Sequence, residues 1–90
     1  MLQTISVSIK GKVQGVYFRH TSCEKAKGYG LNGTVRNLDN GSVEIIATGL
    51  PDQLNQFTEW CKLGPRSAVV ESIDVTPLPL NLFTDFIITR

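Results

Sequence analysis

From Thr4 to Lys10 the chain alternates strictly, with Ile5, Val7 and Ile9 set against Ser6, Ser8 and Lys10. That period of two predicts a strand with one buried face. Gly11 to Tyr17 carries two glycines and no helical period, so it reads as a loop. Thr21-Ser22-Cys23-Glu24 fits a capping box, which predicts a short helix from Thr21, or a few residues earlier, through Lys27 to a stop at Gly28 or Gly30. Gly33–Leu38 and Ser42–Thr48 are rich in Val, Ile and Thr and flank Asp39-Asn40-Gly41, a hairpin signal. Pro51 suits the first turn of a second helix. There Leu54, Phe57 and Cys61 recur at spacings of three and four, beside Trp60, until Gly64-Pro65 ends the pattern. Ala68 to Thr76 alternates again, predicting Val69, Ile73 and Val75 on one side. Pro77 to Leu82 reads as an irregular connection, and Phe83 to Thr89 as a last strand.

The order β-α-β-β-α-β plus a terminal strand predicts an α+β fold, a ferredoxin-like sandwich in which one antiparallel sheet carries both helices on one face. Repeats, linkers and low-complexity stretches are absent from the pattern, so residues 1–90 read as a single domain. A domain this small buries only about two-thirds of the surface of its unfolded chain. Little of its core can be polar, and a functional site is expected on a rim or a loop.

Composition narrows the classes further. Apolar residues make up 41% and charged residues 19%, an ordinary soluble balance. No apolar run approaches the roughly 18–20 residues of a membrane span. The start alternates instead of forming a signal-peptide block, so a cytoplasmic protein is expected, and the Asn32-Gly33-Thr34 and Asn40-Gly41-Ser42 sequons read as turn chemistry. Cys23 and Cys61 fit neither a zinc nor a redox motif. They read as packing thiols in a reducing compartment, although two helices sharing a face leave a Cys23–Cys61 bridge open. The net charge of +1 conceals an asymmetry. Residues 1–37 carry six basic side chains against Glu24, a net of +5, whereas residues 38–90 carry three against seven acidic ones, a net of −4. Either the charges are scattered over a folded surface, or the first half builds an anion site.

Two apparent motifs carry little. Gly28-Tyr29-Gly30-Leu31-Asn32-Gly33 matches the dinucleotide fingerprint letter for letter, but that mechanism needs a strand before the glycines and a helix after them. Here the order is reversed, and a helix stop followed by a turn explains the glycines. His20 and Cys23, at i and i+3, could share a helix face, yet two ligands without a third make no metal site.

The loop Gly11-Lys12-Val13-Gln14-Gly15-Val16-Tyr17-Phe18-Arg19 is more informative. Successive amides in such a turn can converge as a nest, and a following helix start adds its own orphan donors. Gly15 permits a positive φ. The planar fork of Arg19 matches two oxygens of a phosphoryl group. These residues point to a phosphate site; the alternative is an ordinary connection with a surface arginine.

At these residues the chain closely resembles the acylphosphatase family. Gly11–Arg19 looks like its G-x-V-Q-G-V-x-F-R signature, and Gly33-Thr34-Val35-Arg36-Asn37-Leu38-Asp39-Asn40-Gly41-Ser42-Val43 followed by Gly49 resembles the second. Gly64-Pro65 and the Phe86-Ile87-Ile88 ending fit the same pattern, with one departure, Thr34 at a place that is usually aromatic. The resemblance implies an enzyme that hydrolyses the carboxyl–phosphate anhydride of small acyl phosphates without metal or cofactor, and a monomer is expected. It implies that the backbone from Gln14 through Gly15, Val16, Tyr17 and Phe18 to Arg19 binds the phosphate, that Arg19 anchors it, and that Asn37 orients the attacking water. Inorganic phosphate or a similar anion would occupy the same site. RNA-recognition modules share the element order, but base stacking needs aromatic side chains on an open sheet face. The middle strands offer Val35, Val43 and Ile45 instead, so neither nucleic acid nor membrane is an expected partner. An anion sensor that binds without turnover is the other alternative.

Overall fold

The alternating run at the start becomes strand β1 (Gln3–Lys12) in the computed structural model, which describes residues 1–89. Ile5, Val7 and Ile9 are buried, as their period requires. Helix α1 (Phe18–Gly28) follows, then β2 (Asn32–Asn37), β3 (Val43–Gly49), α2 (Pro51–Leu63), β4 (Val69–Leu78) and β5 (Phe86–Ile88). The strands form one sheet in the order β4-β1-β3-β2-β5. Val7, Ile9, Val35, Val43 and Ile45 pack on its covered face with Phe18, Ala26, Leu54, Phe57 and Cys61 of the two helices. This is the ferredoxin-like α+β sandwich. Val35, Val43 and Ile45 therefore lie in the core; the opposite face shows Ser6, Ser8, Thr34, Arg36, Glu44 and Ile46.

One helix cap and two strands differ from the sequence expectation, each for a physical reason. Helix α1 begins at Phe18 with Tyr17 as its N-cap, and the Thr21 amide donates to the Tyr17 carbonyl at 3.0 Å. Burial of Val16 and Phe18 starts the helix early, and no side chain caps it. In β4 the alternation does not run through. Lys10 pairs with Ser72 but Gly11 with Val70, so Glu71 is bulged out and the faces exchange. Val70, not Val69, then joins Ile73 against the core, while Val69 is 58% exposed.

The last strand is shorter than Phe83–Thr89 and parallel to β2, pairing Gly33 with Phe86 and Val35 with Ile88; the other ladders are antiparallel. Its direction follows from the crossover between β4 and β5, which lie at opposite sheet edges. That segment passes over Thr4 and Thr48. The Asn81 amide donates to Thr4 Oγ1 at 2.9 Å, the two threonine hydroxyls meet at 2.6 Å, and Thr48 Oγ1 donates to the Asn81 carbonyl at 2.6 Å. Further along, Asn32 Nδ2 donates to the Phe83 carbonyl at 3.0 Å.

Helix α2 matches its sequence signals. Pro51 opens it, Gln53 Oε1 accepts the Leu50 amide at 3.0 Å, and the Gly64 amide closes the last turn on Trp60. Phe57 is the centre of the aromatic core, with ring centroids 6.1 Å from Trp60, 6.3 Å from Phe86 and 6.5 Å from Tyr29. Phe57→Ala should cost about 3–5 kcal/mol of stability, read from denaturant midpoints at constant slope.

Cys23 and Cys61 are both free and buried, which closes the bridge left open by the sequence. Cys23 Sγ donates to the Phe86 carbonyl at 3.3 Å. Burial pushes both thiols above the ordinary range, although Lys27 pulls Cys23 partly back. The thiolate is the reactive form, and raising the pKa removes it at a given pH. Cys61 should thus stay inert to an aromatic disulfide reagent at pH 8 in the folded protein, and both thiols should react in denaturant.

Candidate active site

Five residues, Val13 to Tyr17, connect β1 to α1. Val13 and Val16 are buried, and so is Phe18, whose ring centroid lies 5.7 Å from that of Trp60. Ser67 Oγ, from the connection after α2, donates to the Val16 carbonyl at 3.1 Å. Three apolar anchors so close together force the chain between them into tight turns. Gly15 adopts φ 73°, and Tyr17 adopts φ 62° and ψ 20°, the one positive φ of a non-glycine among the described residues. A left-handed tyrosine costs roughly 1–2 kcal/mol, and such strain concentrates at functional sites.

The same turn leaves donors open. The first backbone bond into the helix is that from Thr21 to Tyr17, so the amides of Phe18, Arg19 and His20 have no backbone acceptor among the described residues. The helix dipole adds partial positive charge at that end. Gly15, Tyr17, Arg19 and Asn37 meet in an open cleft of about 620 Å³, with the buried Val13 and Phe18 beneath and His20 and Ile88 at its rim. Asn37 is the last residue of β2, and its Oδ1 is buried without a hydrogen-bond partner among the described residues. An orphaned acceptor of this kind costs about 1–3 kcal/mol unless a molecule entering the cleft satisfies it.

The structure thus brings together Gly15, Tyr17, Phe18, Arg19 and Asn37. Gln14 and Val16 belong to the same turn by their backbone, but their side chains point elsewhere. Val16 enters the core, and Gln14 Nε2 donates to the carbonyls of Leu38 at 2.7 Å and Ser42 at 2.9 Å. The hairpin that presents Asn37 closes with Leu38 N–H on Ser42 and Gly41 N–H on Leu38, with Gly41 at φ 91° and Asn40 Oδ1 accepting the Ser42 amide. His20 and Cys23 do not converge. His20 is exposed with Nε2 2.7 Å from Glu24, whereas Cys23 faces the core. Among the described residues there is no cluster of three side chains able to hold a metal ion.

Electrostatics refine the charge asymmetry. Of the six basic residues before position 38, Arg36 pairs with Glu44 at 2.9 Å and Lys27 approaches Asp85 at 3.9 Å. Among the described residues, Arg19 carries the permanent positive charge of the cleft lining, which holds no carboxylate. Sequence reasoning missed Ile88 as a cleft residue. No local signal places it there, because only the parallel pairing with Val35 carries it to the rim.

The profile of the acylphosphatase family matches residues 5–88, nearly the whole chain. The chain belongs to the acylphosphatase family. An acylphosphatase of Marinobacter nauticus is 51% identical over 79 residues, covering 87% of this chain and 86% of its own. The crystal structure of acylphosphatase from Bacillus subtilis superimposes with a TM-score of 0.95 at 36% identity, each chain fully covered. The structure of an acylphosphatase from Coxiella burnetii gives the same TM-score and identity over 98% of this chain and 93% of that one. Membership makes this acylphosphatase a hydrolase of acyl phosphates. Thr34 falls on the uncovered sheet face, between Ile46 of β3 and Ile87 of β5, outside the core cluster.

The left-handed turn can be tested separately from the chemistry. A Cβ on Gly15 would meet no atom within 4 Å. Gly15→Ala should therefore lose only the conformational term, about 1–2 kcal/mol, seen as a lower denaturation midpoint.

Proposed function

We propose that this acylphosphatase binds the phosphoryl group of its substrate on the amides of the turn from Gln14 to Arg19, with Arg19 as anchor and Asn37 holding the attacking water. The unpartnered Asn37 Oδ1 beside the open helix start is the observation that carries this reading. The oxygen of water attacks phosphorus as the bond from phosphorus to the carboxyl oxygen breaks. The acyl group leaves as a carboxylate, and both protons of the water remain on the phosphate product.

A carboxylate is a good leaving group and needs no general acid, which suits a cleft lining without Asp or Glu. Phosphoryl transfer asks mainly for positioning and for stabilisation of charge on the equatorial oxygens. Converging amides and a guanidinium fork supply that stabilisation without reorganising during the reaction. The amide of Asn37 cannot act as a base, but its Oδ1 can accept a hydrogen bond from water and fix the direction of attack.

The test is release of phosphate from acetyl or benzoyl phosphate with a chelator present. Turnover should persist with the chelator, and Arg19→Ala and Asn37→Ala should each lower kcat by about 10²–10³, or about 3–4 kcal/mol of barrier. Wild-type rates in either variant would refute the role given to that residue.

A further inference from the structure

The Gln14 side chain faces away from the proposed phosphate position and toward the hairpin. Both hydrogens of its amide are taken by the two carbonyls that close the β2–β3 turn, Leu38 at 2.7 Å and Ser42 at 2.9 Å. Two carbonyl acceptors fix which end of the amide points at them. Each carbonyl also accepts a turn amide, Leu38 from Gly41 and Ser42 from Leu38. Leu38 directly follows Asn37 in the chain. Among the described residues, no other side-chain hydrogen bond joins residues 14–19 to this hairpin.

We propose that Gln14 is a positioning residue for catalysis: its amide fixes the hairpin end that carries Asn37 against the turn that carries the phosphate, and so sets the line of attack. The inference rests on the reading of Asn37 as the group that orients water. Its backbone lies in one half of the site and its side chain grips the other, so the two halves cannot shift independently while both bonds hold. In-line displacement is sensitive to such shifts, since misplacement by about 1 Å can cost 10²-fold in rate. Binding of the phosphate alone uses only the turn and Arg19, and does not depend on where the hairpin stands.

The experiment compares Gln14→Met, which keeps the length of the side chain and removes both donors, with Asn37→Ala and the double variant on benzoyl phosphate. Gln14→Met should lower kcat by about 10- to 100-fold while competitive inhibition by inorganic phosphate stays near that of the parent protein. The double variant should be little slower than Asn37→Ala alone, because residues acting as a unit are not additive. An unchanged kcat, a loss matched by weakened phosphate inhibition, or additive losses would each overturn the proposal. A thermal midpoint accompanies each variant. Where Gln14→Met shows no folded transition, Gln14→Asn, whose shorter amide falls short of both carbonyls, takes its place with the same outcomes. Full turnover in Asn37→Ala would remove the reading of Asn37 and this proposal with it. Slow Asn37→Ala beside fast Gln14→Met would overturn this proposal alone.

Discussion

Burial of Val13, Val16 and Phe18 within six positions is the constraint on which the site depends. Strand β1 must turn into helix α1 while all three side chains reach the core, and the backbone can do so only by entering the left-handed region at Gly15 and Tyr17. The helix consequently starts without a side-chain cap, and its first residues line the cleft. A serine or aspartate N-cap would stabilise the helix by about 1 kcal/mol and would occupy donors that an anion could use. Apolar packing thus holds open a polar feature that is unfavourable on its own.

That arrangement suits a reaction with modest chemical demands. An acyl phosphate already has a reactive bond and a stable leaving group, so the protein is asked for geometry and compensating charge. A domain of 90 residues can supply both without burying a catalytic acid, whose desolvation would be costly in so small a core. Among the described residues, Arg19 is the one guanidinium of the cleft lining, half-buried and on a helix whose position is fixed by Phe18.

Much of this was legible in the sequence wherever a local pattern answers to a local cause. Ile5, Val7 and Ile9 announced β1, Pro51 and Gly64 bounded α2, and Asn40-Gly41 marked the hairpin. The misreadings arose where tertiary packing overrode a local signal. Thr21 looks like a cap, but it lies inside a helix that runs from Phe18 with Tyr17 at its N-cap, a start within the few residues upstream that the pattern allowed. The alternation of Val69, Ile73 and Val75 conceals the bulge at Glu71, which only the pairing with Gly11 reveals. The parallel direction of β5 depends on Thr4, Thr48 and Asn81, residues far apart in the chain whose meeting no short window can show. At the candidate site, Arg19 and Gly15 were legible by chemical type, whereas the grip of Gln14 on Leu38 and Ser42 needed coordinates.

The threonine-held crossover also governs when the site can exist. Ile88 reaches the cleft rim only once β5 lies beside β2, and β5 can lie there only after the crossover has spanned the sheet. During synthesis from the N-terminus the turn, Arg19 and Asn37 all leave the ribosome well before β5. The rim is therefore completed by a strand made long after the turn and the hairpin, through contacts whose large sequence separation slows their formation. Emergence of β5, and not of the signature residues, marks the birth of a finished cleft.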